Sequence, residues 1–219
     1  KDIWPGPEPS NPSWLTAVGD LLFFVADDRE HGPELWVSDG TPERTFMLRD
    51  IWPGSGGSMD SYWSGLTVVG DRLFFLAYAR MSDLELWVSD GTPDGTSMVV
   101  KDLWFEQRWL TPMGDRLLFV ASDIAGTVGL WVSDGIPAGT YWVKDIWPGP
   151  EGSNPSWLTL VGDRLFFVAD DGAHGLELWA LPLLGGVPRL LRGDSNGDGA
   201  IGGIPDAVFL LNYNFRGGP

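Results

Sequence analysis

Oxygen-bearing side chains alternate near the C-terminal end of the sequence, at Asp194, Asn196 and Asp198. Gly199 follows at the sixth position of this stretch, and the backbone carbonyl of Ala200 stands at the seventh. A calcium loop uses this pattern, because ligands at positions 1, 3, 5 and 7 surround one ion and the glycine allows a sharp turn. The spacing therefore predicts Ca²⁺ as a cofactor of this stretch.

The last ligand of the predicted calcium site is displaced by one residue. Position 12 of such a loop carries an acidic ligand, but here it is Pro205, and Asp206 comes next. In one interpretation, an inserted residue around Gly202-Gly203 still lets Asp206 reach the ion. In another, the insertion weakens or abolishes calcium binding. A third interpretation is a Gly/Asp-rich linker that caps the following helix. The predicted metal ligands are Asp194, Asn196, Asp198, Ala200 and Asp206.

A short helix is predicted after the loop, over residues 207–213. Its apolar side chains cover nearly the whole circumference, and an isolated helix of about ten residues is marginal in water. The side chains must therefore be buried against this chain's own repeats, against a second unit of the same kind, or against another molecule. The predicted partner-binding residues are Val208, Leu210, Leu211, Tyr213 and Phe215.

Residues suited to catalysis are few. His31 and His174 stand at equivalent places in two Asp-Asp-x-x-His-Gly stretches. There, a carboxylate paired with the imidazole is favoured over a metal site. An acidic pair for glycoside hydrolysis is the alternative, but most carboxylates recur at the same place in each repeat. Since an active site normally breaks repeat symmetry, the sequence predicts no enzyme and no catalytic residue.

The elements that carry these residues come from one pattern that recurs four times. Each copy has a Lys/Arg-Asp-Ile/Leu-Trp segment, a Gly-Asp pair before an apolar run, and a Leu-Trp whose spacings are 51, 44 and 48 residues. Gly-Asp between apolar strands is a hairpin signal. Four strands per unit at a period of about 40–50 residues is typical of a β-propeller blade. The sequence therefore predicts an all-β, propeller-like array of four four-stranded blades, as a four-bladed ring or part of a larger one.

Repeats 1 and 4 are the most similar pair. Residues 1–36 and 144–179 align without a gap and match at 30 of 36 positions. After Trp179, repeat 4 departs from the pattern, because Ala-Leu-Pro replaces Val-Ser-Asp and no Asp-Gly-Thr follows. We therefore interpret it as the capping repeat of a domain over residues 1–192, with residues 187–191 as its last strand. Residues 193–219 form a second, smaller unit.

Two family resemblances follow from these motifs. Leu35-Trp-Val-Ser-Asp-Gly-Thr41 and its copies resemble the ELWxxDGT repeats of large bacterial surface and secreted proteins, over about residues 1–180. That resemblance implies a propeller-like fold and a secreted or cell-surface location. Residues 194–215 resemble a single dockerin repeat with an EF-hand-type loop. Dockerins normally have two such units packed together, and one is found in this sequence.

The charge of the chain excludes some classes of binding partner. The chain has 30 Asp and Glu against 14 Lys and Arg, a formal net charge of −16, and no cysteine. Nucleic acid and anionic membranes would be repelled by this charge. The sequence has no stretch of about 18 apolar residues, so it predicts no membrane span. Cations, Ca²⁺ among them, are the favoured small partners.

Two groups among the 13 tryptophans each share a position within the repeat. Trp36, Trp87, Trp131 and Trp179 follow Leu in a strand and are predicted to pack between blades. Trp14, Trp109 and Trp157 share another register and are candidate carbohydrate-stacking residues. We expect a non-catalytic structural module whose tail docks onto a neighbouring subunit or partner, building an oligomer or filament. A carbohydrate-binding, lectin-like propeller is the alternative.

Overall fold

The computed structural model describes residues 1–59, 65–80, 83–105, 110–144, 146–147, 151–184 and 187–188. These residues form sixteen β-strands in four antiparallel sheets, with one single-turn 3₁₀ helix at Pro137–Gly139. Each sheet has four strands that lie side by side in chain order. The predicted all-β array of four blades is confirmed, and we number the sheets as blades 1 to 4 along the chain.

The strand bounds follow the repeat boundaries that the sequence predicts. Blade 1 contains β1–β4, at Ser13–Val18, Leu21–Asp27, Pro33–Ser38 and Phe46–Met47. Blade 2 contains β5–β8, at Thr67–Val69, Arg72–Arg80, Asp83–Ser89 and Ser97–Val100. Blade 3 contains β9–β12, at Leu110–Met113, Arg116–Ser122, Val128–Ser133 and Tyr141–Lys144. Blade 4 contains β13–β16, at Ser156–Val161, Arg164–Asp170, Leu176–Leu184 and Val187–Pro188.

A two-residue turn joins the first and second strands of every blade. In blade 1, Val18 pairs with Leu21, so that only Gly19-Asp20 lies between the paired residues. Gly19 has a φ of +56°, a conformation that glycine adopts without the clash of a side chain. The same register recurs in the other three blades. The Gly-Asp pairs therefore form the predicted hairpins.

The Asp-Gly-Thr segments turn the third strand of a blade into its fourth. Asp39 accepts hydrogen bonds from the Thr41 amide at 3.0 Å and from the Thr41 hydroxyl at 2.7 Å. The Ser38 and Thr45 hydroxyls are 2.7 Å apart and hold the ends of the turn together. Blade 2 repeats these contacts through Asp90. Carboxylates at these positions therefore stabilise turns.

The apolar core lies between neighbouring blades. We call the side of a blade that meets the following blade its far face, and the opposite side its near face. In blade 1 the far face includes Phe23 and Leu35, which pack with Phe75 and Trp87 on the near face of blade 2. Equivalent clusters join blades 2 and 3 and blades 3 and 4. In the described part of the chain, no buried cluster joins blade 4 to blade 1.

Three of the four tryptophans predicted to pack between blades do so, at Trp87, Trp131 and Trp179. The prediction is wrong for Trp36, which packs within blade 1 against Phe24, because no described blade precedes it. Trp36, Trp87 and Trp179 are buried, and Trp131 is partly buried against the cluster of blades 2 and 3. The Trp36 ring nitrogen donates to the Ala26 carbonyl at 3.1 Å, which satisfies its polar atom inside the core. Trp131 and Trp179 make the equivalent bond in their blades.

Several predicted features lie outside the described residues. These are the calcium loop, the tail helix, Trp109 and residues 189–191 of the predicted last strand. In blade 4, β15 runs to Leu184 and has nine residues. The equivalent β7 of blade 2 has seven, because an Asp-Gly-Thr turn ends it. The described residues contain no helix long and apolar enough to cross a membrane.

Candidate binding site at the last blade

Among the described residues, the linkers that follow blades 1 and 3 each turn back over the third strand of the blade they leave. In the linker between blades 1 and 2, the Met59 amide donates to the Pro33 carbonyl at 3.0 Å, at the start of β3. The adjacent Ser58 carbonyl accepts from the Tyr78 amide at 2.9 Å, in β6 of blade 2. The linker therefore hydrogen-bonds to the blade it leaves and to the blade it enters.

A glycine is needed where the linker approaches the preceding blade. Gly57 has a φ of +67°, and a Cβ atom there would lie 2.4 Å from the Pro33 nitrogen. Gly152, in the linker between blades 3 and 4, has a φ of +68°, and its Cβ would lie 2.5 Å from the Val128 nitrogen. Both the positive φ and the close backbone contact exclude a residue with a side chain at this place.

A buried carboxylate fastens the first linker. The Glu34 side chain in β3 is fully buried and accepts hydrogen bonds from the Ser58 amide at 2.9 Å, from the Ser58 hydroxyl, and from the Trp52 amide at 3.4 Å. Burial raises the pKa of Glu34 to about 7, although these donors oppose the shift. We call Glu34 and its three donors the carboxylate latch.

The latch is absent from the interface of blades 3 and 4. Gly129 stands in β11 at the place of Glu34, and a Cβ atom on it would lie 2.5 Å from the Trp142 ring. The hydroxyl of Ser153, which corresponds to Ser58, is buried with no hydrogen-bond partner among the described residues. The linker glycine is therefore common to both interfaces, whereas the carboxylate is found in one of them.

Blade 4 has the receiving half of a latch without a described linker over it. Glu177 pairs with Ala169 as Glu34 pairs with Ala26, but Glu177 is exposed. Gly175 has no atom within 4 Å of its Cβ position among the described residues. At the equivalent Gly32 of blade 1, the Gly57 nitrogen lies at 2.6 Å.

The apolar side chains on the far face of blade 4 are exposed as well. Leu178 is 47% exposed, whereas the equivalent Leu35 is 1% exposed between blades 1 and 2. Val161 is 59% exposed and Leu176 66%, and Phe166 and Val168 are partly buried. We call these five residues the open face of blade 4. Glu177 points to the other side of β15, because side chains alternate along a strand and its partner Ala169 lies on the near face. An exposed apolar face beside the strand edge that carries this exposed carboxylate is suited to binding a polypeptide that covers both.

Two of the predicted carbohydrate-stacking residues share an unusual backbone. Trp14 and Trp157 have φ of +54° and +56° within bulges of β1 and β13. Their side chains are 40% and 68% exposed. A bulky residue with positive φ is a strained conformation that recurs at functional sites. The third, Trp109, lies outside the described residues.

The two histidines are paired with carboxylates. The His31 Nδ1 atom lies 2.8 Å from Asp28 Oδ2, and His174 lies 2.8 Å from Asp171 in blade 4. The hydrogen bond to Asp28 raises the pKa of His31 and, with the backbone amides of the same loop, lowers the pKa of Asp28 against the effect of burial. This is the carboxylate–imidazole pairing favoured by the sequence.

Among the described residues, no three His, Asp or Glu side chains come together in a group that could hold a metal ion. The predicted calcium ligands Asp194, Asn196, Asp198, Ala200 and Asp206 lie outside those residues. The same holds for the partner-binding residues predicted on the tail helix. These assignments remain predictions.

Comparison with solved structures supports the blade assignment. A puromycin hydrolase mutant matches with a TM-score of 0.51 and 18% identity, over 81% of this chain and 27% of that protein. TolB from Acinetobacter baumannii matches with a TM-score of 0.45 and 12% identity, over 77% of this chain and 39% of that protein. The matched proteins are β-propellers, and at these identities the likeness concerns the fold alone.

The chain spans 27% of the length of the puromycin hydrolase and 28% of an acylaminoacyl peptidase from Pyrococcus horikoshii, which matches with a TM-score of 0.44 and 15% identity. Many of these propeller proteins are enzymes, but the distant match does not extend an activity to this chain. No family model matches the sequence, and no curated protein does.

The carboxylate latch was not found by sequence reasoning. Its signal is a Glu before Leu-Trp in repeats 1, 2 and 4, at Glu34, Glu85 and Glu177, with Gly129 in repeat 3. A Gly-Ser pair at Gly57-Ser58 and Gly152-Ser153 is the second half of that signal. Neither the Glu nor the Gly-Ser pair indicates a contact by itself, because the two lie about twenty residues apart and meet only when the linker folds back.

Proposed function

We propose that the protein is a non-catalytic structural module that assembles with a neighbouring subunit or partner through the open face of blade 4. The observation that carries this proposal is the exposure of Leu178 and Val161 at positions where the other three blades bury their side chains, next to the exposed Leu176. Covering this surface would remove apolar area from water, which stabilises a complex by about 25 cal/mol for each Å² buried. The partner therefore gains affinity from the same contacts that join successive blades.

The turn carboxylates support a structural role. Asp39 and Asp90 are engaged by the threonines of their own turns, and Glu34 is engaged by the linker. Each of these bonds fixes the backbone of the repeat. A repeated structural use of acidic residues favours assembly over acid–base catalysis.

The C-terminal unit belongs to the same proposal. Its predicted Ca²⁺ ligands would order the loop, and the apolar helix of Val208 to Phe215 would dock onto a neighbour. The ELWxxDGT resemblance supports a secreted or cell-surface setting, where calcium is abundant. Self-association into an oligomer or filament follows if the neighbour is a second copy.

The test is sedimentation velocity of the full chain across a wide concentration range, with Ca²⁺ and with a chelator. We expect concentration-dependent association that Leu178→Glu weakens about tenfold or more, since a charge would be buried without a partner. Ile124, which is 88% exposed and lies away from the open face, provides the matched control Ile124→Glu. A wild-type protein that stays monomeric throughout, or equal effects of both variants, would contradict the proposal.

A carbohydrate-binding role is the second candidate, favoured by the strained, exposed Trp14 and Trp157. Sugars stack their C–H faces on such rings, and two equivalent platforms lie at the two ends of the array. Quenching of tryptophan fluorescence by a glycan, lost in Trp157→Ala, would support this role. If no glycan of a broad panel quenches the tryptophan fluorescence, this role is contradicted.

A further inference from the structure

We propose that the open face of blade 4, together with the adjacent edge of β15 that carries Glu177, is a receptor for a linker peptide of the form Ile-Trp-Pro-Gly-x-x-Gly-Ser from another repeat-bearing chain. We further propose that Pro9 excludes this chain's own first linker from that receptor. The inference rests on the proposed function, because it names the partner that the open face would bind.

The receptor half is complete in blade 4. Glu177 supplies the carboxylate that Glu34 supplies in blade 1, and both precede a Leu-Trp pair in the third strand. The space beside Gly175 is open in the described structure, where Gly32 of blade 1 is in contact with Gly57. The Leu176 carbonyl corresponds to the Pro33 carbonyl, which accepts the Met59 amide.

The occupant is defined by what the first linker does in blade 1. Its Ser58 places an amide and a hydroxyl on one carboxylate, and Ile51 joins the core of blades 1 and 2. The chain can come this close because Gly57 has a positive φ and no Cβ atom. An incoming peptide therefore needs a Gly-Ser pair after its Ile-Trp-Pro-Gly segment.

This chain's first linker has the apolar segment and the serine but not the glycine. Aligned with Arg49 to Ser58, residues 1–10 place Pro9 where Gly57 and Gly152 stand. The proline ring fixes φ near −65°, whereas those glycines have φ of +67° and +68°. Ser10 of a second copy therefore cannot be placed on Glu177 by the route that Ser58 takes to Glu34.

Two natural peptides of this chain form a matched pair for the test. A dye-labelled peptide of residues 49–59 and one of residues 1–11 would be titrated with the full chain and followed by fluorescence anisotropy. We expect the first to bind and the second to bind at least about tenfold more weakly, because it loses hydrogen bonds to a charged group. Pro9→Gly in the second peptide should restore binding.

Protein variants locate the receptor. Glu177→Gln should weaken binding of the 49–59 peptide about tenfold, whereas the exposed Glu43→Gln should leave it unchanged. In the full chain, Pro9→Gly should move self-association to a concentration about tenfold lower, and Glu177→Gln added to it should reverse the gain. Circular dichroism of each variant checks that the sheets are intact.

The inference is overturned if the two peptides bind equally, or if Glu177→Gln has no effect. It is also overturned if neither peptide binds the full chain, as would happen if residues 189–219 occupied the face. In these cases the proposed function stands whenever Leu178→Glu still weakens association in sedimentation. If the peptide binds but Leu178→Glu does not change the association seen in sedimentation, the proposed function is contradicted and the receptor proposal stands.

Discussion

Blades 1 and 4 are a natural comparison within one chain, because the sequence from the linker to the Leu-Trp pair matches at 30 of 36 positions. The strands and registers are equivalent in the two blades. Yet the far face of blade 1 is covered by blade 2 and a linker, whereas the far face of blade 4 is open in the described structure. Burial at these positions is thus set by the neighbour and not by the strand itself.

The largest difference is expected between two equivalent leucines. Leu35→Ala removes a side chain that is 1% exposed and should lower the free energy of unfolding by about 2–5 kcal/mol. Leu178→Ala, at a residue that is 47% exposed, should lower it by less than about 1 kcal/mol. Urea unfolding of both variants measures this. Equal losses would show that something covers the open face of blade 4.

The two equivalent glutamates should differ in their effect on pH dependence. Because the pKa of Glu34 is raised by burial to about 7 from 4.5, the folded state binds the proton more tightly than the unfolded state. This contribution to stability is fully present below pH 4.5 and is lost as pH rises through 7. Between these limits the free energy of unfolding should fall by up to about 3 kcal/mol more in the wild type than in Glu34→Gln.

The exposed Glu177 supplies the control for this measurement. Thermal or urea unfolding at several pH values should show that Glu177→Gln keeps the wild-type slope. Two parallel slopes for wild type and Glu34→Gln would mean that the carboxylate of Glu34 is solvated and that the latch does not form.

A third comparison uses two glycines with nearly equal backbone strain. Gly32 and Gly175 have φ of +71° and +76°, so an alanine is strained at either place. Only Gly32 has a linker against it, with the Gly57 nitrogen 2.6 Å from the Cβ position. Gly32→Ala should therefore lower the free energy of unfolding by about 1–3 kcal/mol more than Gly175→Ala. Similar losses in urea unfolding would contradict the close linker contact.

The smallest effect concerns the two linker serines. Ser58→Ala removes a donor to the buried Glu34 and should lower the free energy of unfolding by about 1–3 kcal/mol. Ser153→Ala removes a buried hydroxyl that has no partner among the described residues, and should be neutral or slightly stabilising. Melting temperatures from calorimetry would separate the two. A destabilised Ser153→Ala would mean that its hydroxyl has a partner, such as a buried water.

The blades could be predicted from the sequence because their signals are local. Gly19-Asp20, Asp39-Gly40 and their copies determine the turns, and alternating apolar residues between them determine the strands. Packing of Trp87, Trp131 and Trp179 between blades followed from their place beside Leu in a strand, whereas Trp36 packs within blade 1. These features require only neighbours within one repeat.

The latch and the open face could not be predicted in the same way. Leu35 and Leu178 have the same local sequence context and opposite environments, so no pattern within the strand distinguishes them. Glu34 meets Ser58 across a linker whose path is decided by Gly57. Sequence reasoning placed the interaction surface on the tail helix and assigned no residue of the far face of the last blade to it.

Hydrogen–deuterium exchange of the full chain tests most directly whether the last blade has an open face, by comparing the amides of Glu34 and Leu35 with those of Glu177 and Leu178. We expect slow exchange in blade 1, where a linker lies over the strand, and much faster exchange at the equivalent amides of blade 4. We also expect the 49–59 peptide to slow exchange at residues 176–178. Equal protection of both stretches in the free protein would contradict the claim that the last blade has an open face.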